Sequence, residues 1–424
     1  MTFPGTPPRK ENSAANEQTQ KEQLKGLLKK HFGYDSFRAL QEKVIDSVMC
    51  GKDTLVLMPT GGGKSMCYQL PAVALSGVTL VISPLIALMK DQVDSLVEKG
   101  ISAAFINSSL SFSEIKKVKS DVIKGDVKIL YLAPERFNLP AFRNWLKRVE
   151  VSLIAVDEAH CISEWGHDFR PDYTNMKLRE DFSDTPVIAL TATATRKVVK
   201  DILKQLQLKA PKVEICSFNR PNLNYFIHPK KNVFEKMSAL LEKYEGRPTI
   251  IYCFSRRETE QLAMQLNGLG HKSLPYHAGL EQEVRKETQE KFLKDEVTII
   301  TATVAFGMGI DKPDVRLVVH YGLPKSLEGY YQETGRAGRD GLPSECVLFY
   351  SYGDRKKHDF FIERIEKFRQ RFRAKRKLAE VLYYCQSGGC RRRFILNYFD
   401  EKFPHKNCAS CDICKKSSPL DFLN

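Results

Sequence analysis

The stretch that decides the fold of this chain is Val151-Ser152-Leu153-Ile154-Ala155-Val156-Asp157-Glu158-Ala159-His160. Its first six residues form an apolar run, which is typical of a buried strand in a parallel sheet. Asp157 and Glu158 therefore stand at the carboxyl end of a strand, where open α/β sheets bind their ligands. An aromatic-rich loop follows directly over 161–173. We expect a site for metal and water chemistry beside a stacking surface.

Short apolar runs of the same kind recur along the chain, and each is followed by a helical stretch. This alternation is typical of a parallel sheet covered by helices on both faces. The alternation restarts after 216–222, which predicts two successive α/β domains. Nine strands are predicted, over 54–58, 79–83, 129–132, 153–156, 187–190, 249–253, 298–301, 316–319 and 345–350.

The pattern changes to helix beyond residue 350. Phe361, Ile365, Phe368 and Phe372 recur at helical spacing and fall on one face, which we interpret as core packing rather than a base-stacking surface. We expect a disordered N-terminal tail over 1–22, α/β domains over 23–216 and 217–350, and a helical domain over 351–424.

The charge of the chain indicates a polyanionic partner. Among 424 residues there are 66 Lys and Arg against 51 Asp and Glu, a net charge of +15. Residues 351–424 alone hold 18 Lys and Arg against 9 Asp and Glu. Nucleic acid fits this excess better than a membrane, although solubility alone is the alternative explanation. No apolar run approaches the ~20 residues that a membrane span needs.

A glycine-rich segment, Met58-Pro59-Thr60-Gly61-Gly62-Gly63-Lys64-Ser65, follows a predicted strand and opens a helix. This context predicts a P-loop, in which backbone N–H groups bind phosphates, Lys64 reaches the β- and γ-phosphates, and Ser65 binds Mg²⁺. A P-loop needs a second metal ligand and an activated water. We assign these roles to Asp157 and Glu158. The alternative, a glycine-rich turn before a helix, explains the Lys-Ser pair less well.

Four cysteines near the end of the chain, Cys390, Cys408, Cys411 and Cys414, have the spacing C-x17-C-x2-C-x2-C. Four thiolates at such spacing are typical of tetrahedral structural zinc. A redox dithiol, a disulfide, or a ligand exchange with Cys385 or His405 are the alternatives.

These motifs resemble those of RecQ-family DNA helicases of helicase superfamily 2, from about Leu28 to Cys414. In the first half the matching segments are 37–41 (FRALQ), 58–65, 83–88 (SPLIAL), 157–173 and 189–195 (ALTATAT). In the second half they are 252–256 (YCFSR), 276–280 (YHAGL), 305–312 (AFGMGIDK) and 332–340 (QETGRAGRD). The resemblance implies an α/β fold of two tandem RecA-like parallel-sheet domains followed by a small helical zinc-binding domain. Longer members continue beyond the zinc module into a winged helix, so we expect this sequence to be either a naturally short form or a truncated one.

The resemblance implies that ATP binds between the two RecA-like domains. Gln41 would pair with adenine, while Tyr34 and Arg38 would enclose the base. Arg339 would be the arginine finger to the γ-phosphate, with Arg336 beside it. Solvated surface side chains are the alternative for Gln41 and for both arginines. Met66, Asp311 and Gln332 complete the expected nucleotide-binding set.

The resemblance also implies a path for DNA across the same cleft. Residues expected near the strand backbone are Ser83, Asn219, Arg220, Ser255 and Thr303. Trp165, Phe169 and Arg170 offer stacking surfaces, for which a small hydrophobic cluster is the alternative. His160 lies between Glu158 and Trp165 in the sequence and is expected to couple the two sites.

The function implied is an ATP-dependent 3′-to-5′ DNA helicase that acts in repair and recombination. It would use ATP, Mg²⁺ and Zn²⁺ and act on single-stranded, 3′-tailed or forked DNA as a monomer. A DNA-stimulated ATPase that switches nucleic-acid binding or strand annealing is the alternative, and an RNA helicase is a third. We expect an intracellular, DNA-associated protein, in the nucleus of a eukaryote or the cytoplasm and nucleoid of a bacterium.

Overall fold

The computed structural model describes residues 14–38, 40–166, 168–307 and 312–421, and its strands form two parallel sheets. The first sheet contains β1 (Thr54–Leu57), β2 (Val78–Ile82), β3 (Ala103–Ile106), β4 (Ile129–Leu132), β5 (Val151–Val156), β6 (Val187–Thr191) and β7 (Lys212–Ile215). The second contains β8 (Leu223–Pro229), β9 (Thr249–Tyr252), β10 (Ser273–Tyr276), β11 (Ile299–Ala302), β12 (Leu317–His320) and β13 (Ser344–Tyr350).

Helices cover both sheets and form the C-terminal region. Those of the first half are α1 (Ala14–Phe32), α2 (Gln41–Met49), α3 (Met66–Ala74), α4 (Ile86–Glu98), α5 (Phe112–Lys124), α6 (Pro140–Leu146), α7 (Pro171–Thr174), α8 (Leu178–Asp181) and α9 (Arg196–Gln205). Those of the second half are α10 (Val233–Lys243), α11 (Arg256–Gly268), α12 (Gln282–Leu293) and α13 (Leu327–Thr334). The C-terminal region contains α14 (Tyr352–Glu363), α15 (Phe368–Gln386), α16 (Arg391–Tyr398) and α17 (Asp412–Lys415).

The strand order explains which strands the sequence predicted. The orders are β3-β4-β2-β5-β6-β1-β7 and β10-β11-β9-β12-β13-β8, with every named pair parallel. All nine predicted strands are present, and they are the interior strands of the two sheets. The four strands that were not predicted are the edge strands β3, β7, β8 and β10.

The topology brings the predicted motifs to one edge of the first sheet. Strand β1 pairs with β6, and β5 pairs with both β2 and β6. Because these strands are parallel, their carboxyl ends lie along the same edge. The P-loop after β1, the carboxylate pair after β5 and the segment 191–195 after β6 therefore become neighbours.

The cysteine-rich segment covers the open edge of the second sheet. Tyr225 of β8 forms an isolated parallel bridge with Cys411, and the amide of Ile227 donates to Asp412 Oδ2 over 3.2 Å. Arg391 in turn donates from Nε to Asp412 Oδ1 over 2.9 Å. An exposed strand edge is a template for unwanted pairing, so this docking protects β8.

Two expectations about the polypeptide are corrected. The predicted tail over 1–22 is helical from Ala14 onward, and Leu24 and Leu28 of the same helix are buried. In the predicted stripe, Ile365 packs partly buried against the core, but Phe361, Phe368 and Phe372 do not, because all three rings are more than half exposed. Among the residues described, no helix has both the length and the apolar character that crossing a membrane requires.

Candidate functional site

The P-loop begins where β1 ends and closes into the first turn of α3. Gly61 and Gly63 adopt positive φ values of 79° and 81°, a conformation that glycine reaches without a Cβ penalty. The Lys64 ammonium donates to the Met58 carbonyl over 3.2 Å and so closes the loop. The geometry is that of an anion-binding loop at a helix N-terminus.

The two carboxylates after β5 have different electrostatic environments. Burial and the neighbouring Glu158 raise the pKa of Asp157 to about 6, against the opposing charge of Lys64. Burial would also raise the pKa of Glu158, but the hydrogen bond and charge of His160, with Lys64 and Arg336, hold it below its usual value. Glu158 also has a left-handed backbone, with φ of 46°, which is uncommon outside glycine and occurs at functional sites.

His160 connects Glu158 to the segment after β6. Its Nδ1 lies 3.2 Å from Glu158 Oε2 and 2.9 Å from Thr191 Oγ1. Burial alone would lower the pKa of His160, but Cys161 and Glu158 raise it to about 10. The Thr193 amide donates to Thr191 Oγ1 over 3.3 Å, which extends the connection along that segment.

The P-loop and the carboxylates line a cavity of about 470 Å³ to which the second domain also contributes. Arg339 lies so close to Gly61 that a Cβ there would come within 2.9 Å of Arg339 Cγ. Predicted residues that line the cavity are Tyr34, Arg38, Gln41, Thr60, Gly61, Gly63, Lys64, Ser65, Met66, Asp157, Glu158 and Arg339. Ser36, Gln92 and Pro313 also line it and were not predicted.

The early nucleotide motif is bonded to the P-loop. Arg38 donates from its guanidinium to the Gly61 carbonyl over 2.8 Å, while Tyr34 stays half exposed. Gln41 is buried, and its amide accepts from the Arg38 main-chain N–H over 2.8 Å and donates to the Gly63 carbonyl over 3.1 Å. Because both ends of this amide are engaged, pairing with adenine would require these bonds to exchange.

Gln332 and Arg336, two other predicted site residues of the second domain, are not among the described residues that line the cavity. Gln332 donates to Thr193 Oγ1 over 3.1 Å, so its amide joins the two domains rather than facing the P-loop. Arg336 is buried, and its charge lowers the pKa of Glu158 across the cleft. Asp311 lies outside the described residues.

The aromatic-rich loop is held by the C-terminal region. The Trp165 ring is partly buried against the core and has the Lys197 ammonium and the Arg373 guanidinium over it, the latter 4.4 Å from the ring centroid. Arg373 also pairs with Glu164 over 2.5 Å, and Lys377 donates to the Gly166 carbonyl over 2.7 Å. Two cationic side chains therefore cover the Trp165 ring. The sequence suggested a free stacking surface, but the ring is already in contact with these side chains.

The remainder of the loop bends back on itself. Arg170 donates from Nε to Asp168 over 3.1 Å and from Nη1 to the Pro84 carbonyl over 2.6 Å, while Phe169 is partly exposed. Gly166 packs against the His160 carbonyl, where a Cβ would collide. The loop is thus joined to the carboxylate segment through the His160 main chain.

Several residues expected near DNA have other partners. Ser83 is buried, so its hydroxyl does not reach a surface. Arg220 donates to the carbonyls of Ala337 and Gly338 in its own domain over 2.9 and 2.8 Å and to the Thr60 carbonyl of the first domain over 3.4 Å, which places its guanidinium between the domains. Asn219 accepts from Arg392 over 2.8 Å. Ser255 and Thr303 are partly exposed, and Ser255 caps α11 by accepting from the Glu258 amide over 3.1 Å.

The predicted zinc ligands are brought together. The thiols of Cys390, Cys408, Cys411 and Cys414 all lie within 4.8 Å of one another. Four thiols at such separations fit tetrahedral zinc. Cys385 and His405 are not members of this group.

Comparisons with known proteins agree with this arrangement. The chain matches the family models for DEAD/DEAH box helicases over residues 38–202 and for the helicase conserved C-terminal domain over 232–341. It matches the RecQ zinc-binding model over 352–415, the region that contains the four cysteines. The chain belongs to the RecQ family. The zinc-binding match and the cysteine cluster together identify zinc as a cofactor of this RecQ-family chain.

Relatives with RecQ names are similar over most of the chain. The ATP-dependent DNA helicase RecQ of Pasteurella multocida is 48% identical over 90% of this chain and 61% of its own length. That of Bacillus subtilis is 45% identical over 92% of this chain and 66% of its own length. The chain therefore spans slightly less than two thirds of these RecQ relatives.

Solved structures share the RecQ-family chain's fold at low sequence identity. S. cerevisiae Dbp5 bound to RNA and ADP BeF3 has a TM-score of 0.63 at 16% identity, covering 85% of this chain and 92% of its own. The DUF1998 helicase MrfA bound to DNA has a TM-score of 0.65 at 20% identity, covering 80% and 53%. These likenesses show two tandem RecA-like domains.

Proposed function

We propose that the chain is an ATP-dependent DNA helicase that couples ATP hydrolysis to 3′-to-5′ strand separation in DNA repair and recombination. The observation that carries this proposal is the shared cavity, in which Arg339 of the second domain lies against Gly61 of the P-loop. A cavity completed by two domains can respond to their relative motion, which is what coupling requires.

Within this proposal each cavity residue has a distinct task. Lys64 and the P-loop amides bind the phosphates, and Glu158 orients or deprotonates the attacking water. Arg339 stabilises charge on the γ-phosphate, a contribution of about 10³–10⁵ in rate for such fingers. Because the pKa of Glu158 is held low, this carboxylate is ionised at neutral pH and able to accept a proton.

The oxygen ligands that Mg²⁺ prefers fit the residues beside Lys64. Ser65 would supply a hydroxyl and Asp157 a carboxylate. The raised pKa of Asp157 reflects a buried excess of negative charge that Lys64 only partly compensates. When bound, the cation would neutralise charge on the transferred phosphoryl group.

Coupling between the domains would pass through Gln332. Its bond to Thr193 joins the second domain to the segment that reaches Glu158 through Thr191 and His160. A domain movement that changes the Gln332 contact would therefore act on the catalytic carboxylate. The aromatic-rich loop, which α15 holds in place, would respond to bound DNA.

We propose single-stranded or 3′-tailed DNA as the substrate, a monomer as the acting species and DNA-associated localisation. The proposed units are the α/β domains over 23–216 and 217–350 and the helical zinc domain over 351–424. The zinc site is structural in this proposal, because Arg391 ties Asp412 of the cysteine segment to α16.

The decisive experiment compares unwinding of duplexes that carry a 3′ or a 5′ single-stranded tail, with ATP hydrolysis measured on the same substrates. Strand separation of the 3′-tailed duplex alone is expected. Hydrolysis stimulated by DNA without strand separation would instead support a nucleic-acid switch, and stimulation by RNA alone would support an RNA helicase.

The catalytic assignment is tested with Glu158→Gln and Arg339→Lys. Both variants should bind ATP and DNA like the unaltered chain, because neither change removes a phosphate-binding amide. DNA-stimulated turnover should fall by at least about 10³-fold for Glu158→Gln, and Arg339→Lys should lose most of its turnover because lysine lacks the guanidinium fork. Normal hydrolysis by either variant would contradict the role of that residue.

A further inference from the structure

The hairpin of α14 and α15 exposes phenylalanines around its tip. Phe360 and Phe361, near the end of α14, are 52% and 55% exposed, and Phe368 and Phe372, at the start of α15, are 70% and 61% exposed. Phe368 and Phe372 are four residues apart, so they lie on one face of α15. Exposed aromatic rings grouped so closely indicate an interaction surface.

The surface around these rings is cationic. The Arg364 guanidinium lies 3.9 Å from the Phe360 ring centroid, and that of Arg371 lies 6.0 Å from the Phe368 centroid. Residues 352–386 contain eleven Lys and Arg against five Asp and Glu. The cores of protein–protein interfaces are depleted of charged residues, whereas alternating arginine and aromatic side chains suit a polyanion with flat bases.

The hairpin also lies between the two elements expected to face DNA. On one side the Phe361 ring is 5.6 Å from that of Phe254, which immediately precedes Ser255. On the other side α15 holds the aromatic-rich loop, through Arg373 against Trp165. Phe361 therefore adjoins the candidate DNA segment of the second domain, and α15, which carries Phe368 and Phe372, contacts that of the first.

We propose that Phe368 and Phe372 form a stacking platform for bases of single-stranded DNA that extends beyond the cleft. This inference rests on the proposed function, since it lengthens the path of the same strand. Each base that stacks on an aromatic ring adds to the free energy of DNA binding, and the neighbouring arginines neutralise the backbone phosphates.

The test uses a Phe368→Ala/Phe372→Ala double variant of the full chain. Its affinity for oligothymidylates of about 8 and about 30 nucleotides is measured by fluorescence anisotropy, because these lengths lie within and above the site sizes typical of single-stranded DNA binding. Affinity for the long strand should fall at least about tenfold, which corresponds to about 1.4 kcal/mol. Affinity for the short strand and ATP hydrolysis without DNA should not change.

Three control variants make the result more specific. Phe112→Ala removes a ring that is 84% exposed on α5 and should leave binding of both strands unchanged. A Phe368→Leu/Phe372→Leu variant keeps an apolar surface and should still lose affinity, whereas a Phe368→Trp/Phe372→Trp variant should retain it. Unchanged zinc content and thermal unfolding confirm that the variants are folded.

The possible outcomes separate this inference from the proposed function. Wild-type affinity of the alanine variant for the long strand would overturn the platform, as would full affinity of the leucine variant, because stacking requires the aromatic rings. Failure of the unaltered chain to bind either strand would instead refute the proposed DNA function.

Discussion

Arg373→Ala is expected to loosen the aromatic-rich loop while leaving the ATP cavity intact. Arg373 reaches from α15 to pair with Glu164 over 2.5 Å, to donate to the Glu164 carbonyl over 3.3 Å and to cover the Trp165 ring. None of the residues that line the ATP cavity is altered by this change. DNA-stimulated hydrolysis should therefore fall, and hydrolysis without DNA should persist.

The size of the effect follows from these contacts. A cation–π contact contributes about 0.5–2 kcal/mol, and an ion pair with a half-exposed carboxylate about 0.2–1 kcal/mol. The longer hydrogen bond to the Glu164 carbonyl contributes roughly 1 kcal/mol. The loop should therefore lose roughly 2–4 kcal/mol of docking free energy, a change of roughly 30- to 900-fold in the docking equilibrium.

The assay measures the fluorescence of Trp165. The chain contains only two tryptophans, so in a Trp145→Phe background Trp165 is the sole indole reporter. Arg373→Ala should increase quenching of Trp165 fluorescence by acrylamide, because the ring loses its covering guanidinium. The same preparations are then compared for hydrolysis with and without single-stranded DNA.

Arg376→Ala is the matched control. It lies on the same helix and is mostly exposed, and among the described residues its ion pair is with Glu380 of that helix, over 3.1 Å. It should change neither quenching nor stimulation. If Arg373→Ala leaves both measurements at wild-type values, the contacts of Arg373 with Glu164 and Trp165 do not position the loop. If it lowers basal and stimulated hydrolysis equally, the loop is a packing element rather than a DNA sensor.

Three further outcomes are expected. Arg392→Met should lower the free energy of unfolding by about 2–4 kcal/mol in urea titrations, because Arg392 joins Asn219 and the Leu223 carbonyl to α16; an unchanged midpoint would contradict this. Removing zinc with a chelator should unfold the cysteine segment and lower the thermal midpoint, whereas readdition should restore it. Burial lowers the pKa of His358 below 6.5, so its stabilising contribution is present above that pH and lost as the pH falls; His358→Gln should reduce the loss of thermal stability on acidification.

Much of the candidate site could be predicted because its parts are local. The P-loop and the carboxylate pair each follow a strand directly, so the sequence alone places them at strand ends. The cysteine spacing similarly fixes a four-thiol set. Side-chain contacts between domains could not be predicted from the sequence. Gln332, Arg220 and Trp165 were assigned to ligands, yet each contacts another domain of the chain.

The prediction that the C-terminal phenylalanines pack in the core, made from their helical spacing, was also wrong. A periodic stripe predicts that the residues share a face but not which neighbour covers that face. In the structure α15 packs with Leu378 and Val381 buried, while Phe368 and Phe372 extend from its first turns into solvent. The stripe becomes a surface because the hairpin tip projects beyond the core.

The sequence by itself determined the interior of both sheets, since a strand buried on both faces must be a continuous apolar run. It could not reveal the edge strands: Lys212–Ile215 is largely exposed and carries alternating charges, and becomes a strand only by pairing with β1. The tertiary structure also decided which residues meet across the cleft. Arg339 and Gly61 are far apart in sequence, and only the packing of two domains brings them together into one cavity.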